Sequence, residues 1–254
     1  MITGNAFFAK AKRKRNKMFS IIIPTMWKSN QVLDMLPRML NIDIIEEIII
    51  VNNEKSSTPN LGFLSHPKIK MYEAETNLFV SPSWNLGAKL ASSSILCFCQ
   101  DDIVFDIKVF EKVKNLFDSN LNVGIVGSLV SYDKEDSYDD VYHKFFTDGS
   151  INLVSSKEPD DSKRPTATGA GNLFFIKKSD WIDIPSEIKI FHGEVLIWNY
   201  FDEIKDNYII TNFDIKTNWH TTWHYLSNYQ SKLFSQIQQS DQTYCEQNNF
   251  RIAG

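Results

Sequence analysis

Residues 95–106 read ILCFCQDDIVFD, and this stretch decides how the rest of the chain is interpreted. Residues 95–99 form a short apolar run typical of a buried strand, and Gln100, Asp101 and Asp102 interrupt it before the chain becomes apolar again. Neighbouring carboxylates repel each other, and burying them unpaired costs several kcal/mol per ion. The two acids therefore either end a strand at a surface turn or hold a cation at that strand end.

The first half of the chain alternates between strand patterns and helix patterns. Strand-like apolar runs occupy residues 19–24, 46–53, 69–74, 95–99 and 122–130. Helical patterns lie between them at residues 30–40, 81–91 and 107–118. This order predicts a doubly wound parallel sheet.

Two of the helices carry details that can be tested. In the first, Val32, Leu33, Leu36 and Leu40 share one face, and Pro37 is expected to kink or divide the helix. In the second, Ser81 is the expected cap and Pro82 the first helical residue.

The second half has a looser pattern. Polar, turn-rich segments surround short strand-like runs such as residues 144–154, which we expect to pair antiparallel. Strand, helix and two further strand patterns follow at residues 171–181, 193–204, 207–211 and 214–219. We predict a basic leader at residues 1–17, one domain at 18–228 and a surface helix or tail at 229–254. The domain divides into a nucleotide-type half (18–130) and an acceptor-type half (131–228).

Composition excludes several classes of protein. The net charge of -4 argues against a nucleic-acid binder, although the leader carries the basic run KAKRKRNK at 10–17. That run is expected to be solvated, with contact to phosphate or an anionic membrane surface as the alternative. No apolar segment approaches the roughly 20 residues of a membrane span. The three cysteines, Cys97, Cys99 and Cys245, have no paired spacing and fit small core residues in a reducing cytoplasm.

The strand ends predict where a ligand binds. Parallel strands end at one edge of a sheet, which brings together Pro24 and Thr25, the segment Asn52-Asn53-Glu54, and Gln100-Asp101-Asp102. No GxGxxG follows the first strand and no P-loop occurs, so a phosphate ligand would need another partner. A divalent metal held by a carboxylate at a strand end, Mn²⁺ or Mg²⁺, meets that need.

The ordered segments together resemble the GT-A-type glycosyltransferases of the inverting family 2 group. Those segments are FSIIIPT, EEIIIVNNE, TNLFVSPSWNLGAKLA, FCQDDI, GAGNLFFIKKSDW, HGEVLIWNYF and TNWH, and the resemblance covers roughly Met18 to His224. The resemblance implies a three-layer α/β/α sandwich with a mostly parallel central sheet and a small antiparallel portion on the acceptor side. It implies transfer of a sugar, from a UDP-sugar by preference, to a hydroxyl of a glycan or another acceptor, with inversion.

The resemblance also implies roles for individual residues. Asp102 would hold the metal with His220, and Glu194 would be the catalytic base. Gly169 and Gly171 would lie beside the acceptor. The remaining donor contacts would be Pro24, Thr25, Asn52, Asn53, Glu54, Asn77, Asn85, Gln100 and Asp101.

Three departures from the family pattern keep alternatives open. Gln100 stands where the first acid of the D-x-D motif is usual, Phe79 stands where a glycine usually follows Asn77, and Val195 follows Glu194 in place of a second acid. A non-catalytic module that binds nucleotide sugars or glycans is therefore one alternative, and a sugar nucleotidyltransferase is another. Glu194 could also be a first-turn acid favoured by the helix dipole, and His224 could replace His220.

Overall fold

The structure is a computed structural model that describes residues 18–128, 141–143, 151–157, 170–211, 213, 215–217 and 228–250. The predicted basic leader, Gly169, His220 and His224 lie outside these residues.

An eight-stranded sheet forms the centre of the fold. Its strands are β1 (Phe19–Thr25), β2 (Ile45–Asn52), β3 (Ile69–Glu73), β4 (Ile95–Cys99), β6 (Val123–Ser128), β8 (Asn152–Ser155), β9 (Leu173–Lys177) and β10 (Asp206–Thr211), in the order β3-β2-β1-β4-β9-β6-β10-β8. The strands β3, β2, β1 and β4 are parallel neighbours, and β6 and β10 are parallel too. β9 runs antiparallel to β4 and β6, and β8 antiparallel to β10.

A second, smaller sheet is antiparallel throughout. It contains β5 (Ile103–Phe105), β11 (Ile215–Thr217) and β7 (Val141–His143), with β11 in the middle. β5 starts directly after the Gln100-Asp101-Asp102 turn, which explains why the chain becomes apolar again there. The predicted mixed α/β fold is confirmed, with its mostly parallel sheet and a small antiparallel portion.

Helices cover both faces of the large sheet. They are α1 (Gln31–Leu40), α2 (Val80–Leu90), α3 (Val109–Ser119), α4 (Gly193–Asp202) and α5 (Asn228–Gln247). Alternate residues of β1 point to opposite faces: Ile21 and Ile23 pack in the cluster that contains α1 and α3, and Ile22 packs in the cluster that contains α2 and α4. The sheet is therefore buried on both sides, as its continuous apolar strands require.

Both α1 and α2 differ in detail from the sequence prediction. α1 is not divided at Pro37, because the helix ends at Leu40 and the proline removes a single hydrogen bond near that end. Its buried residues are Val32, Met35, Leu36 and Met39, so the buried face is rotated from the predicted one. α2 begins at Val80 after the boundary residue Phe79; the Ser81 hydroxyl, the expected cap, has no hydrogen-bond partner among the described residues.

α5 packs one face into the protein rather than lying wholly on the surface. Phe234, Ile237, Asp241 and Cys245 are buried along it. All three cysteines are free and buried, as predicted for core residues.

Candidate active site

The ends of β1 and β4 are joined by a side-chain hydrogen bond. Thr25 Oγ1 donates to Asp101 Oδ2 at 2.6 Å, and the same hydroxyl accepts from the backbone N–H of Trp27 at 2.8 Å. The backbone N–H of Met26 also donates to Asp101. Thr25 is buried, so its role in this structure is to orient Asp101 and the loop after β1.

Asp101, one of the two acids that the sequence singled out, has a strongly shifted pKa. Burial raises the pKa of Asp101 to about 6, and the hydrogen bonds from Thr25 and Met26 oppose that shift without cancelling it. Asp102 follows it in the same turn and is half-buried, as is Gln100, whose backbone N–H donates to Asn172 O at 3.0 Å. The predicted edge therefore carries two adjacent carboxyl groups at the exit of β4.

The asparagines at the end of β2 use their amides to hold the protein together. Asn52 is buried, donates to Thr58 Oγ1 at 2.7 Å and accepts from Glu54 N at 3.1 Å. Asn53 accepts from Leu78 N at 3.0 Å and donates to Ser83 Oγ at 3.1 Å, which fixes the start of α2 beside β2. Both were predicted donor contacts, and the structure gives both amides a scaffold role.

Glu54 is better placed for a ligand than those two asparagines. It is half-buried at the same edge, and the bonds from the Ser56 hydroxyl and backbone N–H lower the pKa of its carboxyl. It is therefore held as an anion.

Asn77 shapes the entry to α2. Its Oδ1 accepts from Phe79 N at 2.8 Å, and its side chain is exposed at the edge of the site. Phe79 has φ 65° and ψ -169°, a backbone conformation that is nearly exclusive to glycine. The position therefore has a glycine-type backbone although the residue is phenylalanine.

Asn85 does not face the site with free polar groups. Its Nδ2 donates to Ile184 O at 2.7 Å, and its Oδ1 accepts from Ile184 N at 2.9 Å. The two bonds pin α2 to the segment that follows β9. Asn85 was predicted as a donor contact, and in this structure both polar groups of its amide bond to the backbone of Ile184.

Glu194 and Gly171 lie against each other. A Cβ on Gly171 would stand 2.8 Å from Glu194 Cδ and 3.0 Å from its Oε1, so the glycine leaves the space that the carboxyl occupies. Because β9 is antiparallel to β4 and pairs Leu173 with Cys99, its start lies at the end of β4 that carries Asp101 and Asp102. Burial raises the pKa of Glu194, although a hydrogen bond from its own backbone N–H opposes this.

Backbone strain is concentrated around these residues. Four non-glycine residues of the described chain have positive φ: Trp27, Phe79, His192 and Asn249. Trp27 lies two residues after Thr25, and Phe79 lies two residues after Asn77. His192 lies two residues before Glu194. Asn249 lies beyond the end of α5, where this conformation is ordinary. Strain of this kind, of order 1–3 kcal/mol each, persists at functional sites because the surroundings enforce it.

The donor set at the exit of β4 suits a hard divalent cation. Mg²⁺ and Mn²⁺ bind carboxylate oxygens, and Mg²⁺ commonly takes one or two carboxylates and completes its shell with water and substrate phosphate. Asp101 and Asp102 supply such oxygens. Within the described ranges, no group of three His, Cys, Asp or Glu side chains is arranged for a metal.

Comparison with protein families decides the class of this fold. The family model described as Glycosyl transferase family 2 matches residues 20–181, well over half of the chain. The chain belongs to that family. The matched range begins at the second residue of β1, includes β2 to β4 with Asp101 and Asp102, and ends before Glu194 and α4. The predictions of the family and of a glycosyltransferase enzyme are thereby confirmed. No curated protein matches the sequence.

Solved structures with the same fold include the TarS glycosyltransferase of S. aureus. TarS 1–349 in complex with UDP has a TM-score of 0.58 at 13% identity, covering 78% of this chain and 59% of that one. TarS 1–349 in complex with UDP-GlcNAc has a TM-score of 0.57 at 13% identity, covering 87% and 65%. This family 2 chain thus spans 59–65% of the length of those TarS chains, and the likeness establishes the fold.

One further observation concerns membranes. Among the described residues, none of the helices is long and apolar enough to span a bilayer.

Proposed function

We propose that this chain transfers a sugar from a UDP-sugar to a hydroxyl group of a glycan or other acceptor, by a metal-dependent direct displacement that inverts the anomeric carbon. The observation that carries the proposal is the meeting of Glu194 with Gly171 at the start of β9, beside the acids that end β4. The complexes of TarS with UDP and UDP-GlcNAc support UDP as the nucleotide.

Glu194 is the group that accepts a proton. The acceptor hydroxyl attacks the anomeric carbon, its proton passes to the Glu194 carboxylate, and the bond from that carbon to the diphosphate oxygen breaks with its electron pair leaving on UDP. General base catalysis of this kind contributes typically about 10²–10⁴-fold. Because burial raises the pKa of Glu194, we expect the rate to fall on acidification at a pH above the ordinary glutamate value of 4.5.

The negative charge on the diphosphate must be neutralised without a glycine-rich loop. The first two N–H groups of α2, those of Val80 and Ser81, donate to Lys189 O at 3.0 and 2.9 Å, so they are not available to the phosphates. Asp102, with Asp101 beside it, would hold Mn²⁺ or Mg²⁺. The bound ion would neutralise negative charge on the diphosphate as a Lewis acid. His220, which the resemblance implies as a further ligand, lies outside the described residues.

The base assignment is tested with Glu194→Gln. We expect this variant to bind UDP as the unaltered protein does and to release UDP from UDP-GlcNAc at least 100-fold more slowly, with Mn²⁺ present. The matched control is Glu203→Gln, which alters an exposed glutamate at the far end of α4. Full turnover by Glu194→Gln would remove the base assignment.

The metal assignment is tested with Asp102→Asn. We expect Mn²⁺ to strengthen UDP binding by calorimetry in the unaltered protein and to have no such effect in the variant. Asp118→Asn, in the last turn of α3, is the control. Equal Mn²⁺ dependence of UDP binding in both variants would contradict the metal assignment. If the unaltered protein and its variants all bind UDP but none turns over UDP-GlcNAc, the result would favour a binding module.

A further inference from the structure

The C-terminal helix α5 contributes a buried carboxylate to the loop that precedes Glu194. Asp241 is fully buried. Its carboxylate accepts from three consecutive backbone N–H groups: Lys189 at 3.0 and 3.1 Å, Ile190 at 2.9 Å and Phe191 at 3.0 Å. Successive N–H groups that converge on one anion form a compact and rigid arrangement. Asp241 therefore fixes the backbone of residues 189–191.

That backbone in turn fixes both helices of the site. Lys189 O accepts from Val80 N and Ser81 N, which start α2, and α4 begins two residues after Phe191. A Cβ on Gly193 would stand 2.7 Å from Ser81 Oγ, so the starts of α2 and α4 are in close contact. A shift of residues 189–191 would therefore move Glu194 relative to the donor side of the site.

His192, which lies between the 189–191 loop and α4, is held in an unfavourable backbone conformation. His192 has φ 68°, a left-handed conformation that is uncommon for a residue with a side chain. A second contact from α5 supports the same loop, because the ring of Phe234 packs edge-on against the ring of Phe191 with centroids 5.0 Å apart. Both contacts come from a helix outside the range that the family model matches.

We propose that Asp241 is a positioning residue for Glu194 that acts through the backbone of residues 189–193. The helix α5 therefore helps to set the geometry of the site. This inference rests on the proposed function for its catalytic consequence. The local consequence, a fixed loop, does not depend on it.

The local claim is tested by amide hydrogen exchange and by NMR titration of His192. In Asp241→Asn we expect exchange at least tenfold faster at residues 189–191 and at 80–81. Asp241 raises the pKa of His192 against the lowering by burial, so the variant should titrate at lower pH. Unchanged exchange at 189–191 would overturn the inference whatever the activity.

The catalytic claim is tested by separating rate from binding. We expect Asp241→Asn to lower kcat for UDP release at least 30-fold and to change the dissociation constant of UDP less than threefold. Cys245→Ala, which truncates a buried residue one turn further along α5, is the control and should keep kcat within threefold. Equal losses of kcat in both variants at equal Tm would show a general effect of destabilisation and would overturn the claim.

A second variant covers the case in which Asp241→Asn does not fold. Phe234→Leu removes the other contact to the loop, and we expect a smaller fall in kcat with faster exchange at residues 189–191. Unchanged kcat and exchange in Phe234→Leu would then overturn the inference. If the unaltered protein releases no UDP from any UDP-sugar, the proposed function fails, and the exchange and NMR results alone decide the role of Asp241.

Discussion

Replacing Gly171 with alanine is the sharpest test of how Glu194 is held. The added Cβ would stand 2.8 Å from Glu194 Cδ, whereas ordinary contact begins at 3.4 Å, so the carboxyl must withdraw by about 0.6 Å. Gly171 does not need a left-handed φ, so the backbone can accept alanine and the effect falls on Glu194.

The size of the effect follows from the geometry of proton transfer. A general base must lie within about 2.6–3.2 Å of the atom that carries the proton, and misplacement on the ångström scale costs about 10²-fold. We therefore expect Gly171→Ala to lower kcat roughly 30- to 100-fold, or about 2–3 kcal/mol in the activation barrier. UDP affinity should change by less than twofold if Gly171 lies on the acceptor side, as the proposed function requires.

The assay is UDP release from UDP-GlcNAc with Mn²⁺, with UDP affinity measured by calorimetry on the same samples. Gly62→Ala is the matched control, because a Cβ at Gly62 would meet nothing within 4 Å. Full activity of Gly171→Ala would refute the placement of Glu194, and a loss of UDP affinity as large as the loss of kcat would refute the separation of acceptor and donor sides.

Three further predictions concern stability. Burial alone would raise the pKa of Glu47, but hydrogen bonds from Lys70, Ser20 and Ser92 outweigh burial and lower the pKa from 4.5 to about 2. This shift should contribute about 3 kcal/mol to the free energy of unfolding above pH 4.5, and the contribution should be lost as the pH falls toward 2. Denaturant titrations of Glu47→Gln should lack that loss, and an identical pH dependence in both proteins would contradict it. Asn85→Ala should lower the free energy of unfolding by about 2–4 kcal/mol, because it leaves Ile184 N and O without their partners, and should leave UDP affinity unchanged. A tenfold loss of affinity at unchanged stability would instead show that Asn85 is a donor contact. Phe79→Gly should be at least as stable as the unaltered protein. It should be more stable than Phe79→Ala by about 1 kcal/mol or more, since alanine keeps the backbone strain and glycine removes it. If thermal unfolding gave the reverse order, the backbone at residue 79 would be relaxed.

The architecture could be predicted from the sequence because it depends on patterns of many residues. Apolar runs of five to eight residues alternate with helical patterns, and the polar residues that end β1, β2 and β4 meet at one edge. The bond between Thr25 and Asp101 is the direct outcome of that arrangement.

The roles of single polar residues could not be predicted in the same way. Asn52, Asn53 and Asn85 stand at the expected places, yet their amides bond to the protein itself. A sequence gives the position of an amide and does not give its partner. The start of α2 was missed for a related reason, because propensity favours Ser81 as a cap and disfavours the left-handed φ that Phe79 adopts.

Asp241 was missed although the sequence contains a signal for it. The helix around it is rich in glutamine and polar, which suggests exposure on a surface helix. Asp241 nevertheless falls on the same helical face as Phe234, Ile237 and Cys245, the apolar residues that α5 buries. An acid in the middle of an apolar stripe indicates a buried anion with dedicated donors.

The burial of every cysteine has a practical consequence for following this protein in solution. Burial raises the pKa of the Cys97, Cys99 and Cys245 thiols, so the reactive thiolate is scarce in the folded chain. A cysteine introduced at an exposed position would thus be the only one that a maleimide dye labels quickly. For example, a fluorophore on a cysteine that replaces the exposed Tyr200 of α4 would report movement of that helix during turnover. None of the native cysteines would have to be replaced.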